Sequence, residues 1–265
     1  VHTSRRLWLA AVIPLVLAGL TAVPAHAASS AHYVGLGDSY SSGLGSGGTS
    51  SGGDCDRSTN AYPVLYGASA APATFTFAAC AGATTSTVIS SQLSALAAST
   101  TLVSITVGGN DVGFSSIIET CVLEGTAACT SAVENAESYA RTTLPGLLDT
   151  TYADIRAAAP HARVVALDYP DFYDLGPSIC VGLSRTDHVN IDAGINVLDG
   201  VIATAAAAEH VTFADVRTAF TGHEICDGNS SWLHALNYLD IDESYHPTQS
   251  GQADAYLPVF TQAAG

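Results

Sequence analysis

The 265-residue chain has no methionine, no lysine and only two tryptophans. Eight arginines stand against 24 acidic residues, for a formal net charge of −16 at pH 7. A surface this poor in cations repels a phosphate backbone, which sets nucleic-acid binding aside, and it has no electrostatic hold on an anionic lipid surface. No C-x-x-C pair occurs among the six cysteines, which argues against a zinc site or a redox dithiol. His223-Glu224 has no second histidine at metal-ligand spacing. No metal and no other cofactor is expected.

What is present begins with a leader. Arg5 and Arg6 precede an apolar stretch from Leu7 to Leu20, and Ala25-His26-Ala27 offers a small-x-small cleavage site. That order predicts a secretory signal peptide over 1–27. The apolar stretch is short for a membrane anchor, and Pro14 and Pro24 interrupt it. No later segment reads as a membrane span, so stable membrane insertion is not expected. Residues 28–265 are enough for one domain with a sizeable core, and a monomer is expected. Arg5 and Arg6 fall in the leader, so this domain is two charges more acidic than the whole chain. Its six cysteines, an even number in an exported chain, predict three disulfides. Sequential pairing closes the shortest loops, giving Cys55–Cys80, Cys121–Cys129 and Cys180–Cys226. Each closure contributes about 2–4 kcal/mol in entropic models.

Short apolar runs alternate with longer alanine-rich stretches. Strands are predicted at His32–Leu36, Thr74–Phe77, Leu102–Val107, Arg163–Leu167 and Val211–Phe213. The runs are continuous rather than alternating, as strands covered on both faces are. Helices are predicted over Thr84–Ala98, Ala132–Ala159 (two, or one bent at Pro145), Asp187–Glu209 and Ser250–Ala263. The alternation predicts βαβ units and an α/β fold, a three-layer α/β/α sandwich on a parallel sheet. Ser41 to Gly53, rich in glycine and serine, reads as a mobile loop.

Parallel sheets bind ligands beyond the carboxyl ends of their strands. Three polar turns follow predicted strands: Gly37-Asp38-Ser39, Cys80-Ala81-Gly82 and Gly108-Gly109-Asn110-Asp111. Ser39 opens a predicted helix, where backbone N–H groups favour developing negative charge, although a helix-capping serine has the same look. Asn110 carries an amide able to donate to an oxyanion, and Gly82 offers a backbone N–H. His246, in Ser244-Tyr245-His246-Pro247, is a candidate general base. Gly48-x-Ser50-x-Gly52 fits a nucleophile elbow, and Gly43, Gly45 and Gly48 fit a dinucleotide fingerprint. Neither has the strand and helix its mechanism needs.

Together the blocks Gly37-Asp38-Ser39-Tyr40-Ser41, Ala81-Gly82-Ala83, Gly108-Gly109-Asn110-Asp111 and Ser244-Tyr245-His246-Pro247 resemble those of the SGNH hydrolases, the GDSL lipase/esterase family. The secreted streptomycete members are the most similar, over essentially the whole of 28–265. The resemblance implies a flavodoxin-like sandwich and an extracellular carboxylic ester hydrolase with a lipid or other ester as substrate. It implies Ser39 as nucleophile and His246 as base. It implies an oxyanion hole of the Ser39 and Gly82 backbone N–H groups and the Asn110 side chain. Many members place an aspartate three residues before the histidine, where this chain has Glu243. In the streptomycete lipases a backbone carbonyl two residues before the histidine serves instead, here that of Ser244. A Ser39–His246 dyad held by Ser244 is therefore expected ahead of a triad with Glu243. Lipase, phospholipase A, thioesterase and carbohydrate-ester esterase remain open as activities, with an inactive binding module as the non-enzymatic alternative. Tyr40, Phe114, Phe172 and Trp232 are candidates for an apolar groove.

Overall fold

A computed structural model describes residues 2, 29–176, 180–227, 231–237 and 241–265. The predicted leader lies outside the described residues save for His2. The strands are β1 (Ser29–Gly35), a short antiparallel pair β2 (Ser50–Ser51) and β3 (Arg57–Ser58), β4 (Pro72–Phe77), β5 (Leu102–Ile105), β6 (Arg163–Leu167) and β7 (Thr212–Ala214). Five of them form one parallel sheet in the order β4-β1-β5-β6-β7. Counted along that sheet alone, the order is 2-1-3-4-5, the flavodoxin-like arrangement. Its direction of winding reverses between β1 and β5, which opens a crevice at their carboxyl ends. The central strands are buried along their length because helices cover both faces: every residue of β5 is buried, and all of β6 except Arg163.

The helices are α1 (Ser39–Ser42), α2 (Tyr62–Ala70), α3 (Thr85–Thr87), α4 (Phe114–Glu124), α5 (Thr126–Thr142), α6 (Leu144–Ala158), α7 (Arg185–Ala208), α8 (Arg217–Phe220) and α9 (Leu257–Ala264). α2 and α9 pack together against the sheet, and α5, α6 and α7 form the second helical layer. The three layers and the α/β class are those predicted. Pro145 separates α5 from α6: it stands in the first turn of α6, where its fixed φ suits a helix and its missing N–H costs nothing. Ser184 starts α7 with a reciprocal capping box to Asp187.

The structure corrects three sequence readings. Thr84–Ala98 is not one helix: α3 passes into a π-helical turn (Val88–Gln92) and a 3₁₀ turn (Leu93–Ala95). The start of the predicted mobile loop is core, with Ser41 and Ser42 fully buried in α1. α7 is long and apolar enough by composition to cross a membrane, with a mean hydropathy of 1.4. Here it is a core helix, burying Ile191, Ile195, Leu198 and Ile202 together with Asp187, Asp192 and Asp199. Disulfides join Cys55 to Cys80, Cys121 to Cys129 and Cys180 to Cys226.

Candidate active site

The chain leaves β1 through Leu36-Gly37-Asp38 and enters α1 at Ser39. Gly37 has φ +122°, and a Cβ there would lie 2.5 Å from the Thr106 carbonyl oxygen, so no other residue fits. The Gln92 side chain brackets the same peptide: its carbonyl accepts from Gly37 N and its amide donates to Gly37 O, both at 2.8 Å. Asp38 caps α1 by accepting from Tyr40 N at 3.0 Å. It also accepts from the Thr106 hydroxyl at 2.6 Å and the Tyr169 hydroxyl at 2.5 Å. Burial pushes its carboxyl up to about 6, and those donors limit the rise. Ser39 is the first residue of α1, so its backbone N–H has no acceptor inside the helix.

The Ser39 hydroxyl meets His246, with Oγ to Nε2 2.7 Å. On the far side of the ring, Nδ1 lies 3.1 Å from the Ser244 carbonyl oxygen. A carbonyl only accepts, so Nδ1 carries the proton and Nε2 presents its lone pair to Ser39. Burial drives the His246 pKa down to about 4, with the Ser244 carbonyl opposing the shift. The imidazole is therefore neutral at pH 7. The Glu243 side chain makes no hydrogen bond to the ring; its backbone carbonyl accepts from His246 N at 3.1 Å.

Tyr245 sets the direction of the Ser244 carbonyl. It stands in the left-handed region at φ 66°, which costs about 1–2 kcal/mol for a residue with a side chain. Two tyrosines hold it there: its hydroxyl is 2.7 Å from that of Tyr173, and its carbonyl accepts from the Tyr40 hydroxyl at 2.7 Å. Its ring packs against Phe172 and Phe114.

The other two turns reach the same rim. Gly109 N donates to the Tyr169 hydroxyl at 3.0 Å, and Asn110 Nδ2 donates to the Ala83 carbonyl at 3.1 Å. Asp111 accepts from both the amide and the hydroxyl of Thr85, tying the Asn110 turn to the Gly82 turn. Gly82 has φ +73°, and its turn is anchored by Cys80 N to Gly37 O and by Ala81 N to Cys55 O. Ser39, Gly82, Asn110 and His246 all line one cleft. Of the predicted groove residues, Tyr40, Phe114 and Phe172 line an adjoining apolar slot, but Trp232 does not. Trp232 stacks on His223 instead, centroids 3.6 Å apart. Sequence reasoning missed Gln92, Thr106 and Tyr169 as supports; only the strand-end position of Asp168-Tyr169-Pro170 hinted at the last.

A sequence profile of the GDSL-like Lipase/Acylhydrolase family matches residues 36–253. The chain belongs to this family. It is 52% identical to Lipase 1 of Streptomyces coelicolor over 245 residues, covering 92% of this chain and 91% of that protein. Among solved structures, it resembles phospholipase A1 from Streptomyces albidoflavus NA297 with a TM-score of 0.86 and 46% identity, covering 89% of this chain and all of that one (100%). The extracellular lipase from Streptomyces rimosus aligns with a TM-score of 0.85 and 47% identity, over 88% of this chain and 99% of that one. The protein is thus an ester hydrolase on an α/β scaffold.

Two cavities of this GDSL-like hydrolase share Ser39, Asn110, Phe114 and Ile118. One is a wide cleft lined also by His246, Gly82, Asp54, Asp56, Glu119 and Asp242. The other is a narrow apolar slot between α4, α5 and α7. Water-sized molecules have about 720 Å³ for their centres in the cleft and about 50 Å³ in the slot.

Proposed function

We propose that the protein is a secreted lipase/esterase that works through an acyl-enzyme on Ser39. The observation that carries this is the 2.7 Å contact between Ser39 Oγ and a neutral imidazole whose far nitrogen is held by a carbonyl. Ser39 Oγ attacks the ester carbonyl carbon as its proton passes to His246 Nε2. The tetrahedral oxyanion is held by the Ser39 and Gly82 backbone N–H groups and by the Asn110 amide, which turns from the Ala83 carbonyl. The C–O bond to the alcohol then breaks, and His246 returns the proton to the departing oxygen. Water repeats the sequence on the acyl-enzyme, releasing the acid and restoring Ser39. The Ser244 carbonyl orients the ring throughout, so the centre is a dyad, with Glu243 outside it.

The leader 1–27 is removed on export, leaving 28–265 as a monomeric catalytic domain that acts on lipid or other esters without inserting stably in a membrane. The similarity to an extracellular lipase and the match to the order of a signal peptide support this. Phospholipase A activity is the second reading, favoured by the 46% identity to a phospholipase A1 structure. The test is Ser39→Ala beside wild type on p-nitrophenyl esters, triacylglycerol and phosphatidylcholine, with fluorophosphonate labelling. The variant is expected to lose at least about 10⁴-fold in kcat and all labelling while staying folded. Retained hydrolysis or retained labelling would overturn the assignment; the lipid panel ranks the two activities.

A further inference from the structure

The two cavities that meet at Ser39 differ in a way that assigns the halves of an ester. This rests on Ser39 and His246 acting as proposed above. The proton His246 takes from Ser39 must next reach the oxygen of the departing alcohol, so the alcohol half lies on the imidazole side. His246 lines the wide cleft and is not part of the slot. The acyl half therefore points the other way, past Asn110 and Phe114. There the slot begins, and its walls are mostly apolar, with Ile118 from α4, Val133 from α5, Ile195 and Leu198 from α7, and Glu137 of α5 the charged side chain among them. A hydrocarbon chain leaving water gains from such walls, while a glycerol or sugar would lose its hydrogen bonds there.

α5 and α7 pack together along the slot, and Gly194 on α7 and Val133 on α5 both line it. A Cβ at 194 would lie 3.1 Å from Val133 Cγ1 and within 4 Å of nothing else. The missing side chain thus leaves room, with Val133 its nearest neighbour. In the interior of an α-helix a glycine is less stable than an alanine, so nothing in helix formation asks for one at this place.

We infer that the slot between α4, α5 and α7 receives the substrate's acyl chain as a single unbranched strand, and that Gly194 facing Val133 sets how long a chain it takes. The wide cleft holds the alcohol half, with its size within the range of small-molecule sites.

The test is the ratio of kcat/KM for p-nitrophenyl dodecanoate to that for the butyrate, in full-length protein. Gly194→Leu is expected to lower this ratio at least tenfold, and adding Val133→Ala to it is expected to restore part of the loss. Val133→Ala alone is expected to raise the ratio of hexadecanoate to dodecanoate. Ala136→Leu, from a half-buried position on α5 that also lines the slot, repeats the block should Gly194→Leu lose its native circular dichroism. A ratio within twofold of wild type in a folded blocking variant overturns the inference, as does an equal fall on both esters. Neither result touches the nucleophile: the earlier reading fails only if Ser39→Ala keeps its activity.

Discussion

Two buried acidic regions lie beneath the rim that carries Ser39, and only one is fully bonded. Asp38, under Ser39, uses both carboxylate oxygens, with donors from Tyr40, Thr106 and Tyr169. Asp168 and Asp199, at the end of β6 and on α7, each use one oxygen, accepting from Val216 N and Tyr169 N. The other oxygen of each is buried without a hydrogen bond. Arg217 stops short of them, its Nε 3.6 Å from Asp168 and 3.9 Å from Asp199, because its guanidinium is committed to Asp215 and Asn196. Burial raises all three carboxyls, and for Asp199 repulsion from Asp168 adds to it. The difference is one of donors: a buried carboxylate with a full set can stay charged and act as a scaffold, whereas a pair without one holds a proton. Tyr169 joins the two regions, giving its N–H to Asp199 and its hydroxyl to Asp38.

The comparison can be broken most severely on the catalytic side. His246→Ala is expected to lower kcat at least about 10⁴-fold, and Glu243→Ala less than about threefold. Comparable losses would mean that the carboxylate, not the Ser244 carbonyl, steers the ring. Next comes Asn110→Ala, expected to lower kcat about 10²- to 10³-fold with little change in KM, as removal of one oxyanion donor does. A change confined to KM would remove Asn110 from the oxyanion hole.

Stability separates the two carboxylate regions directly. Asp38→Ala orphans three donors and is expected to cost at least about 3 kcal/mol in urea unfolding. Asp199→Asn should act in the opposite direction at alkaline pH. Its carboxyl has a folded pKa above the unfolded value, so the native state binds the extra proton. The stability this gives is complete below the ordinary carboxylate pKa and is lost as pH rises through the raised one. An asparagine stays neutral at every pH and so gains no charge there. The variant's Tm is therefore expected to fall less between pH 5 and pH 9 than wild type, and a parallel fall would refute the raised carboxyl at Asp199. The smallest effect is in the pH profile of kcat/KM. His246 must be neutral to accept from Ser39, so on the imidazole's account activity persists below pH 6.5 and is lost as pH falls through about 4. An imidazole limb at its ordinary position would show that the ring is less buried in solution.

The sheet was legible in the sequence because its strands are short runs rich in β-branched and aromatic residues, buried on both faces at the centre. All five predicted runs lie in the parallel sheet, and β6 has the predicted bounds. What escaped reading was structure without a periodic signal. α2 carries Pro63 and Gly67, and α4 follows a glycine with no capping side chain. Within the site, Ser39, Gly82, Asn110 and His246 stood out because each sits in a short motif after a strand or before the last helix. Their supports did not: Gln92 reaches Gly37 across 55 residues, and Tyr169 reaches Asp38 across 131. Such contacts depend on the folded chain and leave no local trace. The leftover oxygens of Asp168 and Asp199 were invisible for the same reason.

The bridge between Cys55 and Cys80 bears on how the protein is made. It fastens the turn of Gly82 to the serine- and glycine-rich segment that follows Ser39, while the sheet beneath is held by its own packing. Made in a reducing cytosol, the chain is therefore expected to be folded yet poorly active, with a loosened Gly82 turn. Oxidative refolding of such material should recover turnover with little change in secondary structure, and the yield of activity per milligram becomes a gauge of the redox history of a preparation.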